Sequence, residues 1–180
     1  MGRMGSVLII YASNHGHSRK IAERLASILA ARDLSAQVHE VAKGDSFDPG
    51  PFDSVIVMAS IHAGRHQAKM AHWVEANAEQ LNRKRTAFVS VSLSAGSGVP
   101  DVLEENRGYA EAFAEKTGWT PGRIEIVAGC LQYPAYNILN KFLMKRIAKR
   151  QGLPLDTSRE YEYTDWDALE KFASSFWHPG

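Results

Sequence analysis

The chain is short of cysteine, of unbalanced charge and of long apolar runs, and each shortage closes a class of function. Its single cysteine, Cys130, excludes an internal disulfide and fits a reducing compartment. The apolar residues around Cys130 mark it as buried filler rather than a nucleophile. A formal net charge of +1 supplies no global field to gather nucleic acid, so no nucleic-acid partner is expected. No apolar stretch approaches the roughly 20 residues that span a bilayer. The first apolar run already begins at Val7, so no signal peptide is expected and a cytoplasmic location is. Neither the P-loop pattern G-x-x-x-x-G-K-[ST] nor the dinucleotide fingerprint G-x-G-x-x-G occurs, and there is no internal repeat or low-complexity tract. What remains is 180 residues with 44% hydrophobic and 23% charged content, which suits a single globular domain over 1–180 with a sizeable core.

Apolar runs and helical periodicities alternate along that chain. Val7 to Tyr11 reads as a buried strand. Ile21, Ala22, Leu25, Ala26, Ile28 and Leu29 then recur at helical spacing, with Ser18 expected as the N-cap. Ala36–Val41 alternates as a second strand, and the loop about Phe47–Phe52 leaves no room for a full helix after it. Ser54–Ala59, Thr86–Val91 and Ile124–Leu131 read as further buried strands. Between them, Met70, Trp73, Val74 and Leu81 share a helical face, and Val102–Lys116 reads as helix. A last helix, Asp165–Phe176, turns Trp166, Leu169, Phe172, Ala173 and Phe176 inward behind a cap at Thr164. This βαββαβαβ order with a closing helix implies an α/β fold, a doubly wound, five-stranded, mainly parallel sheet covered on both faces.

Such sheets bind ligands beyond the carboxyl ends of their strands. Three strand ends carry small residues and hydrogen-bond donors: Ser13-Asn14-His15-Gly16-His17-Ser18, Ser60-Ile61-His62-Ala63-Gly64-Arg65-His66, and Ser92-Leu93-Ser94-Ala95-Gly96. The first runs from a buried strand into a helix, where backbone N–H groups, hydroxyls and the positive helix end form an anion pocket. Hydroxyls without a lysine suit a phosphate monoester held by neutral donors, such as that of FMN; an ordinary capped strand-to-helix turn would look the same. His62, His66 and His72 are spaced as metal ligands could be, but no carboxylate or cysteine lies near them in sequence, so no metal is expected.

The first loop also resembles the phosphate loop of flavodoxins, Ser/Thr-x-Thr-Gly-x-Thr/Ser. Ser13, Gly16 and Ser18 match it, whereas His15 stands where threonine is usual and His17 where asparagine is frequent. Ala59-Ser60-Ile61-His62-Ala63-Gly64-Arg65-His66, Ser90-Val91-Ser92-Leu93, Ala128-Gly129-Cys130-Leu131-Gln132-Tyr133-Pro134 and Tyr163-Thr164-Asp165-Trp166 are together similar to the menaquinone-dependent protoporphyrinogen IX dehydrogenases. These are flavodoxin-like enzymes of bacterial haem synthesis. The similarity runs from about Ser6 to Phe176. It implies a flavodoxin-like fold, noncovalent FMN, protoporphyrinogen IX as substrate and a membrane quinone, menaquinone or ubiquinone, as electron acceptor. Residues 13–18 would then surround the FMN phosphate, and Ser60–Arg65 and Ser92–Gly96 would hold the isoalloxazine. Two other readings stay open: an electron-carrier flavodoxin, which the near-neutral charge disfavours, and a flavodoxin-like binding module without FMN.

Between the last apolar strand and the last helix lies an insertion, about 132–163, too long for a turn. It holds a helical candidate, Tyr136 to about Arg150, ended by Gly152 and Pro154. Leu139, Leu143 and Ile147 form one stripe and Lys141, Lys145 and Lys149 another, with Arg146 and Arg150 adding charge, and no Asp or Glu occurs from Ile126 through Leu155. Ile138 and Phe142 fall on the lysine side. A solvated basic helix packed by its leucines, a helix peripheral on anionic lipid at the inner face of the cell membrane, and a site for porphyrinogen propionates all fit this pattern. Tyr133 and Tyr136, next to Pro134, fit either the border of a porphyrin-sized cleft or packing at a strand end.

Overall fold

A computed structural model describes residues 5–150 and 152–177. Strands β1 (Ser6–Ala12), β2 (Ser35–Glu40), β3 (Ser54–His62), β5 (Arg85–Ser92) and β6 (Ile124–Ala128) pair in parallel in the order β2-β1-β3-β5-β6. Strand β4 (Arg65–His66) folds back antiparallel on the end of β3. Helices α1 (His17–Ala30), α2 (Ala68–Leu81), α3 (Pro100–Thr117) and α5 (Trp166–Trp177) cover the sheet. No helix among the described residues is long and apolar enough to cross a membrane.

The period of two in β1 assigns its side chains to two cores. Val7, Ile9 and Tyr11 meet Ile21, Leu25 and Leu29 of α1 and Leu169 and Phe172 of α5. Leu8, Ile10 and Ala12 meet Met70, Trp73 and Val74 of α2 and Phe113 of α3. Both faces of the central strands are thus sealed, which is why Val7–Ala12 and Val55–Ala59 carry almost no polar side chains. The chain reverses winding at β1, which lies between β2 and β3, and the carboxyl ends of β1 and β3 open at that switch point.

Four local expectations are corrected. The apolar run Ile124–Leu131 is not one strand: at Gly129 it leaves β6, and β7 (Cys130–Gln132) pairs antiparallel with β8 (Glu160–Glu162) in a separate two-stranded sheet. Strand β7 carries the chain into α4 (Ile138–Arg150) and β8 returns it to α5. The Ser60–His66 stretch is a tight hairpin rather than a loop, its turn made by Ala63 and Gly64, both at positive φ (50° and 73°). Ser18 does not cap α1: Gly16 holds the cap position, at φ 86°. Thr164 does not cap α5 either; Asp165 Oδ1 accepts the Ala168 N–H at 2.9 Å, while the Thr164 hydroxyl donates to Ala128 O at 2.7 Å.

Candidate functional site

The carboxyl ends of β1, β3 and β5 open into a cavity of about 540 Å³, within the roughly 300–1,000 Å³ typical of small-molecule sites. Its floor comes from the strand ends, one wall from α3 and the roof from α4. Among the described residues that line it there is no lysine or arginine, and one carboxylate, Glu105. An anion held here meets neutral donors and a helix end, not a cation.

Ser13, Asn14, His15, His17 and Ser18 all line the cavity. The loop keeps its shape because Ser13 Oγ accepts the Gly16 N–H at 2.8 Å, and because Gly16 turns through the left-handed region, where glycine avoids the steric penalty of a side chain. The amides at the start of α1 have no partners within the helix and carry its positive end. His17 is committed elsewhere. The Thr164 hydroxyl donates to Ala128 O, so Thr164 Oγ1 accepts from His17 Nε2–H at 2.8 Å. Burial holds the His17 imidazole below its ordinary pKa despite Glu162 Oε2 lying 3.9 Å from Nδ1. Burial opposes ionisation of Glu162, but hydrogen bonds from Lys20 and Trp166 outweigh it and keep the carboxyl below its usual range. His17 therefore ties the loop to the strand returning from the insertion.

From the hairpin, Ser60, Ile61, His62, Ala63 and Gly64 line the cavity, whereas Arg65 does not and is exposed. Gln67 anchors the hairpin, its Oε1 accepting Ser60 N–H at 3.1 Å and its Nε2 donating to Ser60 Oγ at 2.6 Å. His62, 3.1 Å from Ser60 Oγ, has its pKa lowered by burial and by neighbouring His15. His66 turns away from the cavity. It bonds Ser90 Oγ at 2.9 Å and packs against Phe88 and Phe113, where burial drives its pKa down to about 4. Among the described residues no three His, Cys, Asp or Glu side chains converge as a metal site.

Ser92, Leu93 and Ser94 line the cavity, but Ala95 and Gly96 do not. Gly96 lies against Tyr163, whose Cβ would sit 2.8 Å from a side chain there, so close packing explains this glycine. Behind Ser94 stands Asn106 of α3, 2% exposed, donating to Ser94 Oγ at 3.0 Å and to Val102 O at 2.6 Å. Asn106 braces the third strand end, and an amide on the buried face of a helix, one turn before buried Ala110, was the sequence signal for it. Val102, Glu105 and Tyr109 complete that wall, with the Tyr109 hydroxyl donating to Glu105 Oε1 at 2.6 Å.

The insertion meets the cavity in part. Tyr136 lines it and packs edge-on to His15, ring centroids 5.0 Å apart. Tyr133 does not: it is fully buried, and its hydroxyl donates to Pro154 O at 2.8 Å. Lys141, Lys145, Arg146 and Lys149 lie off the lining; Lys141 is half-buried and the other three are exposed. Leu143, Met144 and Ile147 form the roof, and Gly129, Cys130 and Gln132 the adjoining edge. Burial pushes the Cys130 thiol up to about 11, with Glu160 and Glu162 adding to the effect.

A flavodoxin-domain family profile matches residues 8–158. The chain belongs to the flavodoxin-domain family. It is 33% identical over 171 residues to the protoporphyrinogen IX dehydrogenase [quinone] of Escherichia coli K12, covering 95% of this chain and 94% of that one. It is 31% identical to the protein of the same name from Leishmania major, over 94% of this chain and 73% of the other. The oxidised flavodoxin 1 of Bacillus cereus superposes with a TM-score of 0.56 at 14% identity, over 96% of this chain and 97% of that one, and shares the fold.

A flavin fits this cradle. A phosphate monoester needs several donors and no side chain in its way, and at Gly16 nothing lies within 4 Å of where a Cβ would stand. The serines and the amides of residues 13–18 other than that of Gly16, which is bonded to Ser13 Oγ, would supply the donors, and the hairpin and the Ser92–Ser94 segment would supply two walls for a planar ring.

Proposed function

We propose that the chain is an FMN-dependent dehydrogenase that oxidises protoporphyrinogen IX to protoporphyrin IX and passes the electrons to a membrane quinone, menaquinone or ubiquinone, in haem biosynthesis. The observation that carries this reading is the cation-free, donor-rich cavity at the β1/β3 switch point, taken with the named activity of relatives aligned along nearly the whole chain. The reading treats residues 1–180 as one domain, in the cytoplasm or peripheral on the inner face of the cell membrane.

FMN, when bound, supplies the two-electron chemistry that links the porphyrinogen to the quinone. The protein's part is placement and electrostatics. Ser13, Asn14, His15 and Ser18 would surround the phosphate, with Gly16 keeping the amides open and His17 fixing the loop against Thr164. Ser60–Gly64 and Ser92–Ser94 would flank the ring, and their N–H groups would favour negative charge developing there. Arg65, Ala95 and Gly96, set back from the lining, would support the walls that do. Glu105, the carboxylate among the described lining residues, would accept a proton lost by the substrate, with the Tyr109 hydroxyl steadying its anion. Tyr136 would border the substrate, and the cations of α4 would meet porphyrinogen propionates or lipid phosphates outside the mouth.

The test is purification followed by turnover. A yellow protein that produces porphyrin fluorescence from protoporphyrinogen IX and a quinone analogue supports the reading. A yellow protein without porphyrin production would make it a carrier, and a colourless one that cannot be reconstituted with FMN would make it a binding module.

A further inference from the structure

The outward face of α4 is divided along its length. Ile138, Phe142, Lys145 and Lys149 form one line on the helix and Leu139, Leu143, Arg146 and Arg150 the next. The apolar members occupy the first turns and are exposed: Ile138 89%, Leu139 75%, Phe142 69% and Leu143 52%. The cationic members occupy the last turns and are exposed too. Ala148 is buried and Met144 half-buried, both packed with Leu131 and Tyr133, so the helix is held on its opposite side and this face is not its packing face. The leucine stripe, which one of the three sequence readings packs against the domain, is instead turned outward at Leu139 and Leu143.

We infer that this face docks on an anionic lipid bilayer, with Ile138, Leu139 and Phe142 entering the headgroup–acyl boundary and Lys145, Arg146, Lys149 and Arg150 on the phosphates. The charge argument selects lipid. The segment from Ile126 through Leu155 contains no Asp or Glu, so nothing on α4 itself offsets attraction to a negative surface or pairs by charge with a like copy of the helix. The large apolar groups beside the cations distinguish this face from a purely electrostatic anion site. Leu143 belongs both to the outward face and to the cavity lining, next to Met144 and Ile147. Docking thus sets the mouth of the cavity against the lipid, where a hydrophobic quinone dissolves. This last step rests on the dehydrogenase reading; the docking does not.

The experiment is flotation of the full-length protein with vesicles of phosphatidylglycerol and phosphatidylcholine, or of phosphatidylcholine alone, at low and high salt. The wild type is expected to float with the anionic vesicles, less at high salt and least with neutral ones. The Ile138→Ser/Phe142→Ser double variant is expected to lose roughly a hundredfold in partition. Its flavin content and its turnover with a water-soluble quinone analogue should stay unchanged. Failure of the wild type to bind anionic vesicles, or equal binding by the double variant, would overturn the docking and leave the flavin reading intact. A wild-type dimer in light scattering that the double variant abolishes would give the face to a second copy and overturn it as well. A colourless, inactive wild type that still floats would count against the flavin reading alone.

Discussion

Two apolar surfaces in this protein are treated in opposite ways. At the sheet, Leu8, Ile9, Ile10, Val55, Ile56 and Val57 are wholly buried beneath helices on both sides. On α4, Ile138, Leu139, Phe142 and Leu143 stand in water. Burying a side chain of that size is worth about 1.5–3 kcal/mol. Four left exposed forgo a sum comparable with the roughly 5–15 kcal/mol of net stability of a whole domain. The difference teaches that the sheet edge is built to hold its geometry, whereas the α4 face contributes little to folding and is available to a partner.

The largest effect should come from the sheet edge. Gly16→Val places a β-branched residue at φ 86°, a strain of about 1–3 kcal/mol, in a spot where nothing of the protein lies within 4 Å of the added Cβ. The backbone amides of the loop lose their arrangement, and flavin affinity should fall on the order of a hundredfold, read by titration of FMN fluorescence. Undiminished affinity would show that the loop does not hold the phosphate. Glu105→Gln should lower kcat for porphyrinogen oxidation by roughly a hundredfold with flavin binding retained. An unchanged kcat would remove Glu105 as proton acceptor.

Acid should separate the two regions next. His66 has a folded pKa of about 4 against an ordinary value of 6.5, and His17 and His62 are lowered by burial as well. The unfolded chain therefore binds more protons, so stability is full above pH 6.5 and is lost as pH falls towards 4. His66 alone accounts for on the order of 3 kcal/mol of that loss. Urea midpoints should drop through this window, and His66→Gln should flatten the drop; a flat wild-type profile would contradict the burial assigned to His66. Helix α4 contains no His, Asp or Glu and has nothing to titrate there. The smallest effect belongs to α4. Ile138→Ser and Phe142→Ser should each change stability by less than about 0.5 kcal/mol in thermal unfolding, and a large loss would mean that the face packs after all.

The strands, their parallel pairing and the loop at residues 13–18 were legible because buried parallel strands are continuous apolar runs and a strand-to-helix loop announces itself with small hydroxylated residues. The break at Gly129 was hidden because Ile124–Leu131 is apolar throughout, and a change of pairing partner leaves no trace in hydropathy. Asn106 and Glu105 went unread because helix α3 looks like any amphipathic surface helix until its neighbours are known. Tyr133 and Tyr136 are three residues apart, yet one is sealed under Pro154 O and the other reaches the cavity.

The chain by itself determined its layers, its strand edge rich in donors and the absence of acid from the insertion, since these follow from residue type and period. Only tertiary packing decided which donors face the cavity, that His17 is bound to Thr164, and that Leu139 and Leu143 turn outward. Orientation depends on what a face is packed against, and those partners lie far away in sequence: Thr164 is 147 residues from His17.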